Sequence, residues 1–555
     1  MKLKYILYMA AALSLTGCND SFLERGPQNL NDQSFWVSVN DLKSYAFYGL
    51  IPGGVSVLDD TDSDIQVPNN INSFLWGQYV VPTEGGVWQK SNWQNIRNIN
   101  YFMTHYQSVQ AAEADVNIYV AEMRFFRALE YFNKIQLLGD VPWLEVDLNV
   151  DSEELYGPKM KRNQVFQKII EDLDFAIQWL PEAGSEEANR LNKDIARHVK
   201  ARFCLNEGTH YKYHDELEYA SEAEKWLQMA ATESDKLITS GRYEIYNTGH
   251  PQEDYFNMYR IDDKSDLKEA VLYVDYKTNI REHNMAAAGR EAGCGFSKSF
   301  VESFLCSDGF PISLSNKYLG DETMRKETAN RDPRLKQLIL TNDFPTNVTD
   351  DLKDSTFVVN EDEFITQHCF TGYRPIKGFN PIYSQALYMK SSFDGIAYRY
   401  AETLLINAEA KAELNTITDA DLDRTINQLR DRVGMPHLTV NVGFTDPKWP
   451  DWGYSLSPIL QEIRRERCIE LAGEGFRFND LKRWKAGKVL NNVLTYVGKR
   501  KPDGNLAIVY PNYTNPDLSY QAGKSRTWED KMYLYPIPTG ELQRNPQLLP
   551  QNPGW

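Results

Sequence analysis

The sequence predicts a mostly α-helical protein, built from pairs of helices with long loops and small β-hairpins laid over them. Apolar residues recur every three or four positions in several stretches, as they do on one face of a helix. These stretches come in adjacent pairs, with alanine and aromatic residues where two helices would meet. Such pairs are typical of tetratricopeptide-like hairpins, which stack because no single pair can bury its own apolar face.

Each predicted helix combines an apolar face with a residue that ends it. In the first stretch Phe125, Leu129 and Phe132 share one face, and Gly139 and Pro142 follow at the C-terminal end. Glycine ends helices because it adopts backbone angles that other residues avoid, and proline cannot continue a helix. The predicted helices cover about 88–138, 165–180, 192–209, 219–240, 398–415 and 419–432.

The remaining segments are rich in Gly, Pro, Asn and Asp and contain only short β-like runs such as Val271–Val274. We therefore expect a helical scaffold over roughly 87–240 and 398–485. Loops are expected over roughly 50–92 and 241–397. Long loops with little secondary structure commonly carry function, so these two ranges are the expected ligand-binding region.

The N-terminus has the pattern of a lipoprotein signal peptide. Lys2 and Lys4 precede an apolar stretch that is too short to span a bilayer. The sequence Leu15–Cys18 (LTGC) then resembles a lipobox, in which Cys18 receives the lipid. Residues 1–17 are thus predicted to be a signal peptide and 18–35 a lipidated tether. The alternative is an ordinary signal peptide with an incidental cysteine.

Net charge and cysteine content exclude several classes of protein. The formal charge of −17 disfavours nucleic acid as a partner, because such binders neutralise phosphates with Lys and Arg. The five cysteines after Cys18 are odd in number and form no C-x-x-C pair, which disfavours a disulfide scaffold or a zinc ribbon. A single bridge between Cys294 and Cys306 remains an open alternative.

No catalytic motif is recognisable in the chain. It lacks G-x-S-x-G, H-E-x-x-H and the phosphate-binding G-x-x-x-x-G-K-[ST] pattern, so no catalytic residue is predicted. His210 and His214 are spaced to share a helix face and bind a metal, but no third ligand is evident. Ordinary histidines are the preferred interpretation, and no metal site is predicted.

An acidic run resembles the start of a calcium loop. Asp60, Asp62 and Asp64 alternate as EF-hand ligands do, but Ile65 stands where that loop needs glycine. Ile71 stands where the closing glutamate should be. We therefore reject an EF-hand and expect no cofactor, while an irregular calcium site stays open.

Four blocks of sequence together resemble the SusD/RagB family. In chain order they are Ala121–Ala128 with Leu138–Pro142, Tyr398–Leu405, Ile463–Trp484, and Tyr535–Pro538 with Gln551–Trp555. The resemblance implies a single SusD-like domain over 36–555, on a lipoprotein anchored in the outer membrane and facing the cell surface. It also implies a carbohydrate-binding protein that delivers glycan to a SusC-like TonB-dependent transporter. Oligopeptide capture for the same kind of transporter is the alternative, and a surface hydrolase is a weaker one.

The third block alternates arginine with glutamate. Opposite charges fall three residues apart in Glu462–Arg465 and in Arg467–Glu470, a spacing that brings side chains together on a helix. The functional interpretation is an anion site. The preferred interpretation is an ion-pair network that holds the last helix to the body.

Candidate ligand contacts follow from the chemistry of a sugar. A sugar presents C–H groups on one face and hydroxyls around its edge, so its site needs a flat aromatic ring and polar side chains at the rim. The two loop regions supply such residues: Asp62, Asp64, Trp76, Trp88, Asn92, His283 and Arg290. For each of them, packing of a loop on the scaffold is the competing explanation.

Overall fold

Helices dominate the structure, a computed structural model that describes residues 35–46, 56–69, 72–187, 190–290, 292–344, 349, 360–508 and 526–555. The helices are α1 Val39–Ala46, α2 Gln94–His105, α3 Glu113–Leu138, α4 Arg162–Trp179, α5 Lys193–Tyr213, α6 Ala223–Thr239, α7 Asp254–Tyr259, α8 Met285–Arg290, α9 Lys298–Ser303, α10 Met324–Thr328, α11 Arg334–Leu338, α12 Tyr400–Glu413, α13 Asp419–Asp423, α14 Ile426–Val433, α15 Pro458–Glu470, α16 Arg477–Arg483 and α17 Thr539–Arg544. The strands are β1 Gln66–Pro68, β2 Ala270–Val274, β3 Cys294–Phe296, β4 Gly395–Arg399, β5 Val497–Arg500 and β6 Leu506–Ile508.

The predicted helical scaffold is confirmed. Helices α3 and α4 pack side by side, as do α5 and α6, and α12 packs against both α6 and α15. Phe125 and Phe132 are buried in the main core, as their spacing predicts. Helix α3 ends at Gly139, whose φ of 74° is in the region that favours glycine.

Two of the predicted helical stretches are divided, since the stretch over 88–138 forms the separate helices α2 and α3. Instead of a single helix over 419–432, α13 and α14 are separated by a break at Arg424 and Thr425. Thr418 begins α13 with a capping box, in which its side chain and that of Asp421 bond to each other's backbone N–H groups. The short α13 therefore has its own start signal, which the apolar spacing alone does not show.

The strand pairs are mostly long-range. Antiparallel pairs form between β1 and β3 and between β2 and β4, in each case joining segments far apart in the chain. Only the β5–β6 pair is a hairpin among the strands of the described residues. The small β-elements are thus confirmed, but two of these three pairs tie the loop regions together rather than folding locally.

The described cysteines after Cys18 are all free and buried, at positions 204, 294, 306, 369 and 468. A bridge between Cys294 and Cys306 therefore does not form. Cys294 lies in β3, where its backbone pairs with that of Pro68. Cys306 follows α9, and its backbone forms an isolated β-bridge with Arg331. The two cysteines pair with different segments of the chain, which their nearness in the sequence does not reveal.

A buried carboxylate, Glu470, organises the charged groups near the end of α15. It accepts hydrogen bonds from Arg334 at 3.0 Å, Arg399 at 2.7 Å and Arg432 at 2.6 Å. All four side chains are at most 2% exposed. Burial alone would raise the pKa of Glu470, but the three guanidinium groups hold it well below its usual range.

The ion-pair interpretation of the arginine-rich block is confirmed, with one change of partner. Glu462 and Arg465 pair at 3.4 Å as their spacing predicts. The predicted Arg467–Glu470 pair is wrong, because Arg467 instead contacts Asp480 of α16 at 2.8 Å. Glu470 is surrounded by arginines from other elements, so the network joins α15 to the rest of the body.

Replacing Glu470 with glutamine tests this network. We expect Glu470→Gln to lower the free energy of unfolding by about 3–5 kcal/mol, because it leaves buried guanidinium charges without compensation. The measurement is urea-induced unfolding at pH 7. As a control, Asp235→Asn removes the exposed Arg424–Asp235 pair and should change stability by less than about 1 kcal/mol. Equal effects of the two substitutions would contradict the prediction.

Candidate ligand-binding site

Trp88 lies on a short turn at the start of the scaffold. The turn Gly86–Trp88 is a 3-10 helix preceded by Gly85, and both glycines have positive φ, 84° for Gly85 and 57° for Gly86. These angles are costly for residues with a Cβ, so the two glycines allow the chain to bend sharply just before Trp88. The indole is half-buried and packs at a tilt against Trp93, with 5.1 Å between ring centroids.

Asn92 stabilises the turn that carries Trp88. Its side-chain amide donates to the backbone carbonyl of Val87 at 3.1 Å, and its backbone N–H donates to the carbonyl of Gln89. The structure therefore brings Asn92 and the Trp88 turn together, as the sequence-based hypothesis requires. Trp93 packs against the main core, and Lys134 lies 5.2 Å from the centre of its ring.

Trp76 is more enclosed than its position in a polar loop region indicates. It is half-buried, meets Tyr496 edge to face at 5.3 Å, and packs against two small apolar clusters. The next aromatic residue, Tyr79, approaches the Trp88 turn, since a Cβ placed on Gly86 would lie 3.6 Å from the Tyr79 hydroxyl. Ligand contact by Trp76 stays a prediction, beside a clear packing role.

The two predicted aspartates are used within the fold. Asp62 accepts a hydrogen bond from the side-chain amide of Asn72, which in turn accepts from the backbone N–H groups of Phe74 and Leu75. Asp64 is buried and accepts two bonds from Arg477, both 2.7 Å long. Ligand contact by either carboxylate stays a prediction, and this geometry favours a role in fixing the loop to the scaffold.

Asp60, the third member of the acidic run, is also used within the fold. It accepts from the backbone N–H of Gly473 at 2.7 Å and of Arg477 at 2.9 Å. Burial raises the pKa of Asp60 to about 7, although these hydrogen bonds act in the opposite direction. The three carboxylates thus serve different partners. Within the described ranges, no group of three or more His, Cys, Asp or Glu side chains could hold a metal ion.

His283 is also used within the fold. Its Nε2 lies 2.8 Å from the carbonyl of Phe393, and its Nδ1 lies 3.1 Å from the backbone nitrogen of Met285. Burial lowers the pKa of His283. Arg290 ends α8, but its side chain lies outside the described part of the structure. Ligand contact by these two residues stays a prediction.

Comparison with known proteins decides the family. A sequence profile of the SusD family matches residues 239–555. The chain belongs to the SusD family. A relative, SusD-like protein P2 of Formosa agariphila, is 24% identical over 582 aligned positions and spans the whole of both chains.

Solved structures of the family share its fold. A SusD-like protein of Bacteroides fragilis has a TM-score of 0.72 at 24% identity, with 95% of this chain and 99% of that chain covered. A SusD-like carbohydrate binding protein of the same species has a TM-score of 0.70 at 21% identity, covering 93% and 100%. At these identities the likeness establishes the fold alone.

The predicted lipid anchor of this SusD family member cannot be placed in the structure. Cys18, the signal peptide and nearly all of the tether lie outside the described residues. Within the described part of the chain, no helix combines the length and the apolar character needed to cross a membrane.

Sequence reasoning missed one aromatic pair. Trp449 and Trp452 border a cleft of about 650 Å³, next to buried arginines of the ion-pair network. The signal was present in the run Trp449–Trp452 (WPDW), which is rich in the residues expected at a loop site. It did not stand out, because the segment lies outside the two ranges assigned to the ligand-binding region.

The paired histidines are part of the core of this SusD family member. The rings of His210 and His214 lie 4.1 Å apart, and Nε2 of His214 lies 2.9 Å from the carbonyl of Lys482. Burial, more than the nearby Arg162, lowers the pKa of His210 well below its usual value. These contacts favour the ordinary structural interpretation over a metal site.

Lys482 gives the protein a testable pH dependence. Its amine donates to the carbonyl of Gln136 at 2.8 Å, and burial, with Arg162 adding repulsion, lowers its pKa to about 7. The unfolded chain keeps the lysine protonated up to about pH 10. Between pH 7 and 9 the unfolded chain therefore binds more protons than the folded chain does. The contribution of Lys482 to the free energy of unfolding should therefore rise with pH, by up to about 1.4 kcal/mol per pH unit.

We expect Lys482→Met to remove this slope. The measurement is the free energy of unfolding in urea at pH 7, 8 and 9, compared with the wild-type chain. Leu481→Ala, a buried change in the same helix, should lower stability at every pH but keep the wild-type slope. The prediction fails if the Lys482→Met and wild-type slopes are the same.

Proposed function

We propose that this SusD family member is a surface lipoprotein that binds carbohydrate at the Trp88 turn and passes it to a SusC-like TonB-dependent transporter, without a catalytic step. Family membership and the likeness to a carbohydrate binding protein of Bacteroides fragilis support the ligand class. The observation that carries the choice of site is the half-buried Trp88 on a turn fixed by Asn92.

The Trp88 turn offers what a sugar needs. A half-buried indole keeps apolar ring surface accessible, on which the C–H face of a sugar can stack. Because the turn is held by hydrogen bonds, little ordering is required when the ligand binds. The strongly acidic chain is compatible with a neutral glycan, which feels no long-range repulsion from the charge of −17.

Tryptophan substitutions test the site. We expect Trp88→Ala to weaken binding to a panel of soluble polysaccharides by about 1–3 kcal/mol, on the scale of a central contact residue. Its melting temperature should change little. Trp76→Ala is measured in the same way, and loss of its contact with Tyr496 should lower the melting temperature. Binding is followed by affinity electrophoresis and calorimetry.

Trp179→Ala is the matched control for the Trp88 substitution. Trp179 is also half-buried, but it lies at the end of α4 beside Phe175, far along the chain from the loop regions. Its removal should leave polysaccharide binding unchanged. If Trp88→Ala and Trp179→Ala bind every polysaccharide equally well, the ligand site is not at Trp88.

The anchor and the transporter can be tested in one experiment on cells. The proposed role requires a second protein to move the ligand, because the proposed lipid tether only holds the binder at the surface. We expect Cys18→Ala to move the protein from the membrane fraction to the soluble fraction. The wild-type protein should co-purify with a TonB-dependent barrel in mild detergent. Retention of Cys18→Ala in the membrane would contradict the anchor, and repeated purification without a barrel would contradict the partnership.

A further inference from the structure

Lys134 is the one buried lysine among the described residues whose amine has no partner. Its side chain belongs to α3 and is 3% exposed, yet Nζ makes no hydrogen bond or ion pair with any residue that the structure describes. Nζ is also not one of the fully enclosed polar atoms that lack a partner, so it keeps some contact with solvent. The other buried lysines of the described ranges each donate to an acceptor of the protein: Lys200, Lys264, Lys298, Lys377, Lys482 and Lys499.

This amine lies next to the aromatic residues of the Trp88 turn. Nζ of Lys134 is 5.2 Å from the ring centre of Trp93, and Trp93 meets Trp88 with 5.1 Å between ring centroids. A single indole therefore contacts both the ammonium group and the proposed stacking ring. Helix α3 carries the lysine, while Trp93 directly precedes α2, and these two helices pack against each other.

The charge of Lys134 has no carboxylate partner. Glu130 stands one helical turn earlier, at a spacing that favours an ion pair on a helix. Its side chain instead accepts from the amide of Asn95 at 2.6 Å, and no ion pair joins Glu130 to Lys134 in the described structure. Burial lowers the pKa of Lys134, and the negative charge of Glu130 acts in the opposite direction. A buried ammonium group without a counter-ion is costly, so this one indicates an acceptor supplied from outside the protein.

The charges nearest the turn leave a positive balance. Glu84 pairs with Arg544, whereas Lys90 is exposed and has no ion pair among the described residues. Two lysines, Lys90 and Lys134, thus stand against the single carboxylate of Glu130. The overall charge of −17 repels an anion at long range, but salt screens that repulsion beyond about 8 Å at physiological ionic strength. Local charge therefore decides which ligand the turn accepts.

A negatively charged group on a sugar fits this arrangement better than a hydroxyl does. A hydroxyl can accept a hydrogen bond from Nζ, but it leaves the positive charge uncompensated. A carboxylate or a sulfate ester supplies both the acceptor oxygen and the opposite charge, and such charge-assisted bonds are the stronger kind. The sugar ring can stack on Trp88 while its charged group reaches past the edge of Trp93 to the amine.

We propose that Lys134 is a ligand-binding residue, which takes the carboxylate or sulfate ester of an acidic sugar stacked on Trp88. The proposal rests on the proposed function and deepens it, since it names acidic polysaccharide as the class of ligand. Because Lys134 would act through its charge, its replacement should change which sugars bind and leave the fold intact.

Calorimetric titration of the full chain with matched sugars tests the role of charge. Each pair has one backbone with and without the anionic group: hexamers of galacturonic acid and of mannuronic acid with their methyl esters, and a sulfated galactan hexasaccharide with its desulfated form. Neutral hexasaccharides of laminarin, starch, xylan and mannan complete the panel. We expect at least one acidic member to bind at least about tenfold more tightly than its neutral form. The carboxylate and sulfate pairs show which anionic group is recognised.

Two variants show whether the preference depends on Lys134. Lys134→Met removes the charge but keeps an unbranched stem against Trp93, and Lys134→Gln keeps a donor without the charge. In both, the members of a pair should have dissociation constants equal within about twofold. The melting temperature of Lys134→Met at pH 7 should stay the same or rise, because an apolar group replaces a buried, unpaired charge.

Lys225→Met is the matched control. Lys225 also lies over an indole, with 4.0 Å from its amine to the ring centre of Trp226, but it belongs to α6. Its replacement should leave every affinity in the panel unchanged. A hexaglutamate peptide is added as a probe, because it offers carboxylates without a sugar ring.

The outcomes separate this inference from the proposed function. A preference for an acidic sugar that both Lys134 variants lose supports the inference. Tight binding of neutral sugars that Lys134→Met leaves unchanged keeps the proposed function and overturns the inference. A preference for acidic sugars that survives in both variants overturns it as well, since another residue then binds the charge. Binding of hexaglutamate alone, or of no probe at all, overturns both.

Discussion

The buried ion pairs around α15 are the constraint on which the rest of the structure depends. Charged side chains inside a protein must be paired and hydrogen-bonded, or the cost of removing them from water destabilises the fold. Here Glu470 draws arginines from α11, α14 and the end of β4 to a single point. Segments that are distant in sequence are thereby placed in one arrangement, because each arginine has a fixed partner.

The same network fixes two loops to the scaffold. Arg477 at the start of α16 holds Asp64, and the adjacent backbone holds Asp60, so the loop before β1 is fixed to the scaffold. Arg465 fixes the loop beneath which the Trp449 cleft opens. Ligand contacts on loops are accurate only when the loops are held, and buried charge performs that task here.

The sequence predicts the local parts of the fold well and the long-range parts poorly. Helix positions follow from apolar spacing and from residues such as Gly139, which act within one turn. The Arg467–Glu470 pair was wrong because three-residue spacing considers one helix only, whereas Asp480 from the next helix lies closer to Arg467. The β1–β3 and β2–β4 pairs join distant segments, and no local pattern encodes such a pairing.

The candidate site was predictable in chemistry but not in detail. A loop aspartate such as Asp64 has the same side chain whether it bonds a sugar or an arginine, and only the position of Arg477 shows which bond it makes. Trp88 and Asn92 could be grouped from the sequence, because both contribute to one short turn. Trp449 could not be related to α15, because its indole N–H meets Glu462 only in the folded chain. The arginine-rich block is predicted to be structural rather than a binding site, and its buried ion pairs agree with that prediction. Its charges stabilise the fold because each guanidinium group of the block pairs with a carboxylate: Arg464 with Glu413, Arg465 with Asp446 and Arg467 with Asp480.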